Sequence, residues 1–236
     1  MKQISINKDD LKKDLKEARQ LRESSRIFVD IPFELFLEYM KTIGSAILIR
    51  RGNRNTTLNF TPKQVELLKF LRDYLAGVGE FNPHKGIFLL GRNGTGKTLI
   101  IMSFIDLIRR LTFPNRLVKH YHAKEILSLL EKKKELKSYF NSARSFYIED
   151  IGKEEESVNI YGTIVKPFPD FIDSIYGIST GWHFLCSNYK IDEPRQDLGE
   201  KPYPGGKLFQ MYGKTITGRI TEMFNLYVLR GEDMRK

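Results

Sequence analysis

Residues 91–98 read Gly-Arg-Asn-Gly-Thr-Gly-Lys-Thr, a complete match to the phosphate-cradling pattern G-x-x-x-x-G-K-[ST]. Glycines at this spacing let successive backbone N–H groups turn toward an anion, and the N-terminus of a following helix adds partial positive charge. Gly91, Asn93, Gly94, Thr95, Gly96, Lys97 and Thr98 are therefore expected to line a triphosphate site. Lys97 would reach the β- and γ-phosphates and the Thr98 hydroxyl would ligate Mg²⁺. Cleaving a triphosphate also needs acids, to hold the metal and to orient or deprotonate water. Phe146-Tyr147-Ile148 ends in Glu149-Asp150, two carboxylates at the tip of an apolar run, and these are the expected metal and water ligands; a helix cap or a solvated strand end is the plainer alternative. Asn188, in Cys186-Ser187-Asn188-Tyr189, offers a carboxamide that can hold the attacking water or touch the γ-phosphate, although Ser-Asn is also ordinary turn chemistry.

These groups need elements that bring them to one place. Ile87-Phe88-Leu89-Leu90 reads as a buried strand before the glycine-rich loop, and Leu99 to Ile105 as the helix after it. Thr61-Pro62-Lys63-Gln64 is a helix start with a capping threonine, an early proline and a Gln three residues on; Leu67, Leu68, Leu71 and Leu75 mark its buried face and Gly77 its end. Leu117 to Tyr121 follows as a strand, Ala123 to Lys137 as a helix, and Ser145 to Asp150 as the acidic strand. Phe168, Phe171, Ile172, Ile175 and Tyr176 then trace one helix face. Trp182 to Cys186 and Leu226 to Leu229 complete the strands. Alternating strands and helices predict an α/β fold with a parallel sheet covered on both faces. Ligands of such sheets gather at the carboxyl ends of the strands, where the loop, Glu149-Asp150 and Asn188 all fall. The strand Leu117–Tyr121 comes between the loop strand and the acidic strand, an arrangement of the P-loop branch that includes AAA+, RecA-like and helicase motors. Nucleotide kinases and GTPases place those two strands side by side, which argues against a small-molecule kinase.

The 236 residues carry a formal charge of +10, which favours an anionic partner, nucleic acid first. A lone cysteine, Cys186, excludes an internal disulfide and a cysteine-based zinc module and fits a reducing compartment. The N-terminus has no signal-peptide apolar core, and no apolar stretch approaches membrane-spanning length, so a soluble cytoplasmic protein is expected. Residues 7–25 repeat Leu11, Leu15, Ala18 and Leu21 at helical spacing in a highly charged setting: either a solvated helix or one that docks on a partner. Pro32 to Met40 reads as a more buried helix, and Arg50 to Asn55 as a basic loop. The expected division is a small, mainly helical partner-interaction region over 1–59 and an ATPase domain over 60–236.

Taken together, Gly91 to Thr98, Tyr147-Ile148-Glu149-Asp150-Ile151-Gly152, Ser187-Asn188-Tyr189 and the C-terminal run from Tyr212 to Met223, closing with Gly231 to Arg235, resemble a known family. It is the AAA+ ATPases of the bacterial replicative helicase-loader group, DnaC/DnaI-like, together with the related transposition helper IstB. The resemblance covers roughly residues 60–236. It implies a P-loop NTPase fold of the AAA+ (ASCE) kind, ATP and Mg²⁺ as cofactors, and ATP hydrolysis. Lys97 and Thr98 would belong to Walker A, Glu149 and Asp150 to Walker B, and Asn188 would be sensor 1. Arg219 would be an arginine finger reaching a neighbouring subunit's nucleotide, hence a homo-oligomer, and Arg235 would be sensor 2 on its own subunit's nucleotide. Read from the residues alone, Arg219 is better taken as a surface ion-pair partner of Glu222, three positions on.

The implied partners are single-stranded DNA and a replicative helicase, or a transposase in the IstB-like alternative; no membrane is involved. Candidate DNA contacts are Arg109, Arg110, Arg116, Lys119, Lys132, Lys133, Lys134 and Lys137, although the lysine run also reads as a solvated helix face. Tyr139 and Phe140 suit either base stacking or the core. The chain departs from the family pattern in carrying Glu149 where Asp is usual and Asp150 where Glu is common, and in an N-terminal region that matches no known helicase-binding domain. The reversed acids suggest slow turnover, which keeps open a nucleotide-dependent switch with little hydrolysis.

Overall fold

The computed structural model describes residues 28–53, 57–112, 118–131, 145–160, 162–176, 182–194, 205–231 and 233. In chain order they form helices α1 (Phe33–Arg50) and α2 (Pro62–Ala76), strand β1 (Gly86–Leu90), helix α3 (Lys97–Thr112) and strand β2 (Val118–His122). A 3₁₀ turn (Ala123–Glu125) leads into α4 (Ile126–Glu131), followed by β3 (Ser145–Ile151), a hairpin of β4 (Val158–Ile160) and β5 (Thr163–Val165), α5 (Pro167–Ile175), β6 (Phe184–Ser187), α6 (Lys207–Met223) and β7 (Phe224–Val228).

Side-chain alternation places the sheet between two cores. In β1, Ile87 and Leu89 join one buried cluster while Phe88 and Leu90 join another. β3 divides in the same way, with Tyr147 opposed to Phe146 and Ile148, and so does β6, with Phe184 and Cys186 opposed to Leu185. The first cluster takes α1, α2 and α3; the second takes α4, α5 and α6. A sheet buried on both faces has to be roofed by crossover helices, and every pairing in it is parallel.

The strand order is β2-β3-β6-β1-β7. This corrects one expectation in detail. The loop strand and the acidic strand are indeed separated, but by β6, the strand that leads to Asn188. β2, which precedes β3 in the chain, lies outside it at the sheet edge. Several element ends also move. The helix expected from Ala123 starts with a 3₁₀ turn and is described to Glu131, the remainder to Lys137 lying outside the described residues. Trp182 and His183 precede β6 rather than belong to it, and Tyr176 caps α5 with 42% of its surface exposed. The last strand begins at Phe224, and its ladder runs on through the Leu229 N–H to Leu90 O bond of 2.7 Å.

α2 starts as its sequence dictates: the Thr61 side chain accepts from the Gln64 N–H, and the Gln64 side chain accepts from the Thr61 N–H at 2.8 Å. Gly77 ends it in the left-handed conformation, φ 75°. A capping box of this kind contributes about 1 kcal/mol. α1 lies on α3 at close range, since Gly44 has Leu58 and Ser103 as its nearest neighbours. Phe36 and Met40 of α1 are fully buried in the cluster that holds Leu67, Leu71 and Phe104. Residues 33–50 therefore share a core with the glycine-loop helix. No described helix is long and apolar enough to cross a membrane.

Because Phe36 is packed between these elements, Phe36→Ala should lower the unfolding free energy of the whole cooperative unit by about 3–5 kcal/mol. Denaturant unfolding followed through Trp182, which lies in the same cluster, checks this. A midpoint equal to that of the unmutated chain would mean that α1 is not part of the core that holds α3.

Candidate nucleotide site

The 91–98 loop leaves β1 where the Gly91 N–H still donates to Ser187 O, at 3.2 Å, and enters α3 where the Ile100 N–H takes up Gly96 O at 3.0 Å. Gly94 and Gly96 are left-handed, φ 78° and 87°, and so fold the loop into a cradle that β-substituted residues would resist. Thr95 is buried; its hydroxyl donates to Arg92 O at 3.0 Å, and its carbonyl accepts from Gln64 Nε2 at 2.9 Å. The capping glutamine of α2 therefore also braces the loop, a second role its position in the capping motif did not disclose. Asn93 is exposed on the cleft, and Asp233, near the C-terminus, has its carboxylate against Gly94.

Lys97 is 6% exposed, and a buried ammonium is costly unless oxygens surround it. Its Nζ donates to Gly91 O at 2.7 Å, Arg92 O at 2.8 Å and Asn188 Oδ1 at 2.9 Å. The other end of the same carboxamide, Asn188 Nδ2, donates to Asp150 Oδ1 at 3.0 Å. Lysine, asparagine and aspartate from three separate segments thus form one hydrogen-bonded chain, which joins the Walker A, sensor 1 and Walker B positions expected from the sequence.

Asp150 reaches that position through a local break in β3. Its φ is 62°, the single left-handed non-glycine among the described residues, and the β3–β6 register shifts between Ile148 and Ile151. A short polar side chain tolerates that conformation better than most, and such outliers gather where a site dictates the backbone. Both acids acquire cationic or hydrogen-bonding neighbours. His120 Nε2 lies 3.2 Å from Glu149, and its ring stacks on Tyr147 at 4.7 Å. Lys153 and His122 approach Asp150 at 2.9 and 3.2 Å. The His120 hydrogen bond holds the Glu149 carboxyl below its ordinary range against the opposing effect of burial. Burial pushes Asp150 upward, but Lys153, His122 and Asn188 together outweigh it and leave that carboxyl below its ordinary range as well. Since both folded-state values lie below those of the unfolded chain, the resulting stabilisation is complete above the unfolded values near about 4 and is lost as pH falls through the folded ones.

Sequence reading missed His120, His122 and Lys153. The two histidines stand two apart on one strand and so share a face, but only the β2–β3 register, His122 opposite Glu149, brings them to the acids. Lys153 follows Asp150 by three and turns back to it across a Lys153 N–H to Asp150 O bond of 3.1 Å.

The loop, the acidic strand and the segment before α2 line a cleft of about 500 Å³, within the range of small-molecule sites. Lys97, Thr98, Glu149, Asp150 and Asn188 line its polar end, and Leu48, Leu58 and Phe60 an apolar end. This combination fits a nucleotide, with phosphates on the loop and an apolar wall for the base. It also fits Mg²⁺, which takes one or two carboxylates and completes its octahedron with phosphate oxygens and water. Among the described residues no three His, Cys, Asp or Glu side chains cluster into a self-sufficient metal cage. Cys186, at the cleft floor, is buried, and burial pushes its thiol up to about 12, so it remains protonated and unreactive.

The remaining candidates lie elsewhere. Arg219 pairs with Asp173 and stacks over Tyr176, its guanidinium 5.0 Å from the ring centre, on the α5–α6 surface. Its ion-pair partner is thus Asp173 rather than Glu222, which instead accepts from the Tyr176 hydroxyl. Arg109 and Arg110 end α3 and share Asp106, at 2.6 and 2.8 Å; Lys119 is exposed on β2. Arg116, Lys132, Lys133, Lys134, Lys137 and Arg235 lie outside the described residues, as do Tyr139 and Phe140.

No protein-family model matches the sequence, and no curated protein does. Solved structures do match. The DnaC helicase loader is 18% identical, with a TM-score of 0.50, over 75% of this chain and 96% of that one. DnaI is 16% identical, with a TM-score of 0.49, over 90% of this chain and 98% of that one. AMPPCP-bound DnaA from Aquifex aeolicus is 16% identical, with a TM-score of 0.49, over 76% of this chain and half of its own length. The fold is that of an AAA+ P-loop protein, a five-stranded parallel sheet flanked by helices. Its structural neighbours include the DnaC helicase loader, DnaI and DnaA.

With His120 as the principal cause of the low Glu149 value, His120→Phe should move the Glu149 carboxyl midpoint upward while Asp150 moves less. Carboxyl ¹³C NMR titration reads both midpoints. An unmoved Glu149 would remove His120 from the electrostatics of the site.

Proposed function

We propose that this protein is an ATP-binding and ATP-hydrolysing AAA+ protein that acts in DNA replication as a helicase-loader-like accessory on single-stranded DNA. The observation that carries the ATPase reading is the Lys97–Asn188–Asp150 chain, in which the phosphate-binding cation, a γ-phosphate reader and a carboxylate are already mutually oriented. Preorganised charge of this kind is the main catalytic resource in phosphoryl transfer, where positioning and electrostatics do most of the work. In this reading the loop amides and Lys97 bind the polyphosphate. Thr98, Glu149 and Asp150 would hold Mg²⁺, which would supply neutralisation of phosphate charge. Asn188 orients the water and Asp150 takes its proton.

Arg219 is our candidate for completing the site of a second copy. It stands on the protein surface, so the proposal includes a homo-oligomer; Arg235 is assigned to its own subunit's nucleotide. DNA contact is assigned to Arg109, Arg110 and Lys119 with Arg116, Lys132, Lys133, Lys134 and Lys137. The shared Asp106 does not bar this, since solvent-exposed ion pairs contribute little and a phosphate can displace them. We assign the ATPase to 60–236 and partner contact with a helicase to residues 1–59, whose helix α1 packs Phe36 and Met40 into the ATPase core and leaves Leu35, Tyr39 and Ile49 exposed. The site of action is the cytoplasm. A second reading, a nucleotide-dependent switch with little turnover, is favoured by one feature: Asp150 is engaged at once by Lys153, His122 and Asn188, which leaves it a weaker base.

Lys97→Ala should abolish binding of a fluorescent ATP analogue, and affinity equal to that of the unmutated chain would end the P-loop assignment. Arg219→Ala should leave that affinity nearly intact while lowering DNA-stimulated hydrolysis by about 10²-fold or more; unchanged rates would leave Arg219 a surface residue. Hydrolysis absent from the unmutated protein, with binding intact, selects the switch. Affinity for single-stranded DNA should fall steeply with salt, log K declining linearly with log salt. A flat response would dissociate the +10 charge from nucleic acid.

A further inference from the structure

Between the acidic strand and α6 lies a buried carboxylate that the ATPase reading does not use. Glu154 is 7% exposed. One of its oxygens accepts from the Gly152 N–H at 2.8 Å, and the other accepts from the Tyr212 hydroxyl. Burial, then the adjoining Glu154 charge, push the Tyr212 phenol far above its ordinary range, so the phenol keeps its proton and remains a donor. A buried carboxylate with both oxygens bonded is held hard, because releasing either bond leaves charge stranded away from water.

The same loop meets α6 at further points. Any side chain at Gly152 would collide with Tyr189, which follows Asn188, and with Leu208 of α6. The Leu208 N–H donates to Lys190 O at 2.9 Å, the Gly206 N–H donates to Asp192 O at 2.8 Å, and the Lys207 ammonium lies 3.9 Å over the Tyr189 ring. Residues 207–212 are thus clamped to the two segments that carry Asp150 and Asn188.

The next residue breaks the helix. Gly213 has φ 74° and ψ 178°, a region open essentially to glycine alone, and beyond its chain neighbours and its own helix backbone nothing lies within 4 Å of where its Cβ would be. The break is therefore a backbone feature and not a packing accommodation. Thr217 Oγ1 donates to Gly213 O at 2.8 Å or Lys214 O at 3.1 Å, tying the new helical turn to the break. The half beyond it, 214–223, keeps Ile216 and Ile220 in the core with Leu208 but has its own polar contacts: Arg219 with Asp173, Glu222 with Tyr176, and Lys85 Nζ donating to Thr221 O at 2.8 Å. One helix therefore has one half anchored to the nucleotide side, the other half carrying Arg219, and a glycine joint between them.

The geometry points to Tyr212 and Glu154 as positioning residues that fix the first half of α6 to the loop after Asp150, with Gly213 the hinge through which nucleotide binding resets the half that bears Arg219. This rests on the ATPase reading above. Neither residue touches the cleft; they act through Asp150 and Asn188 on one side and through the Arg219 helix on the other. Coupling of two sites through an element with two arrangements is the physical form such a link has to take.

Amide exchange on the full chain, with and without AMPPCP and Mg²⁺, tests this independently of turnover, with the dissociation constant of the analogue measured in parallel. In the unmutated protein the analogue should change exchange over residues 214–223 by about fivefold or more, the lower end of ordinary coupling between sites. Tyr212→Phe should bind the analogue with nearly unchanged affinity yet lose that response, and Gly213→Ala should do the same. Glu154→Ala, which removes both acceptors, should lose the response as well. A Tyr212→Phe protein that binds and responds like the unmutated chain would overturn the inference, as would an unmutated chain that binds without any response in 214–223. An unmutated chain that fails to bind the analogue at all would instead overturn the ATPase reading on which the inference stands.

Discussion

The ammonium of Lys97 is the charge around which the site is arranged. An almost fully buried cation must be surrounded by oxygen, and its three are supplied by two loop carbonyls and by a side chain from another strand. That requirement ties the sheet order to the chemistry. β1 and β6 are neighbours in parallel register, Leu90 opposite Ser187, so the residues just past each strand, Gly91 and Asn188, finish at the same level. β3 flanks β6 on the other side, and the carboxamide of Asn188 can therefore span from the lysine to Asp150. An antiparallel strand in the place of β6 would present the wrong end of its chain to the ammonium.

The acidic end of the site meets a second constraint, the repulsion between adjacent carboxylates. The structure separates them by direction. Glu149 remains in the ladder, and its longer side chain meets His120 on the edge strand. Asp150 leaves the ladder by way of a left-handed backbone and meets Asn188, Lys153 and His122. The order Glu-Asp, the reverse of the usual family pattern, has a geometric counterpart here: a long acid reaches sideways to a neighbouring strand while a short acid sits where the backbone is turned. Each carboxylate keeps its charge because each has its own compensating neighbours.

Support for the loop comes from the chain before it as much as from the sheet. Gln64 caps α2 and braces Thr95, while α1 covers α3 from the outside with Phe36 and Met40 in the shared core. Leu48 and Leu58, from the segments flanking that contact, close the apolar end of the cleft. The helices before residue 77 are thus part of the architecture of the candidate site. The same logic of shared anchoring reappears in α6, where the glycine joint at Gly213 separates a half bound to the site from a half bound to α5.

Residues 91–98, the apolar runs of β1, β3 and β6, the capping box at Thr61 and the face of α5 were all legible from the chain, because each depends on spacing along it or on the local preferences of a few residues. From these alone follow the P-loop, the doubly covered parallel sheet and the carboxyl-end location of Glu149, Asp150 and Asn188. What the chain did not disclose is who stands beside whom. Strand order put β6 rather than β2 between loop and acids, and register put His120 and His122 against the carboxylates. Tertiary packing gave Gln64 its second hydrogen bond, Arg219 its Asp173 partner, and Glu154 its phenol. Local sequence determines which face a side chain takes and how an element begins and ends. Contacts between residues tens of positions apart are decided only when the cores close, since only then are desolvated charges forced to find partners.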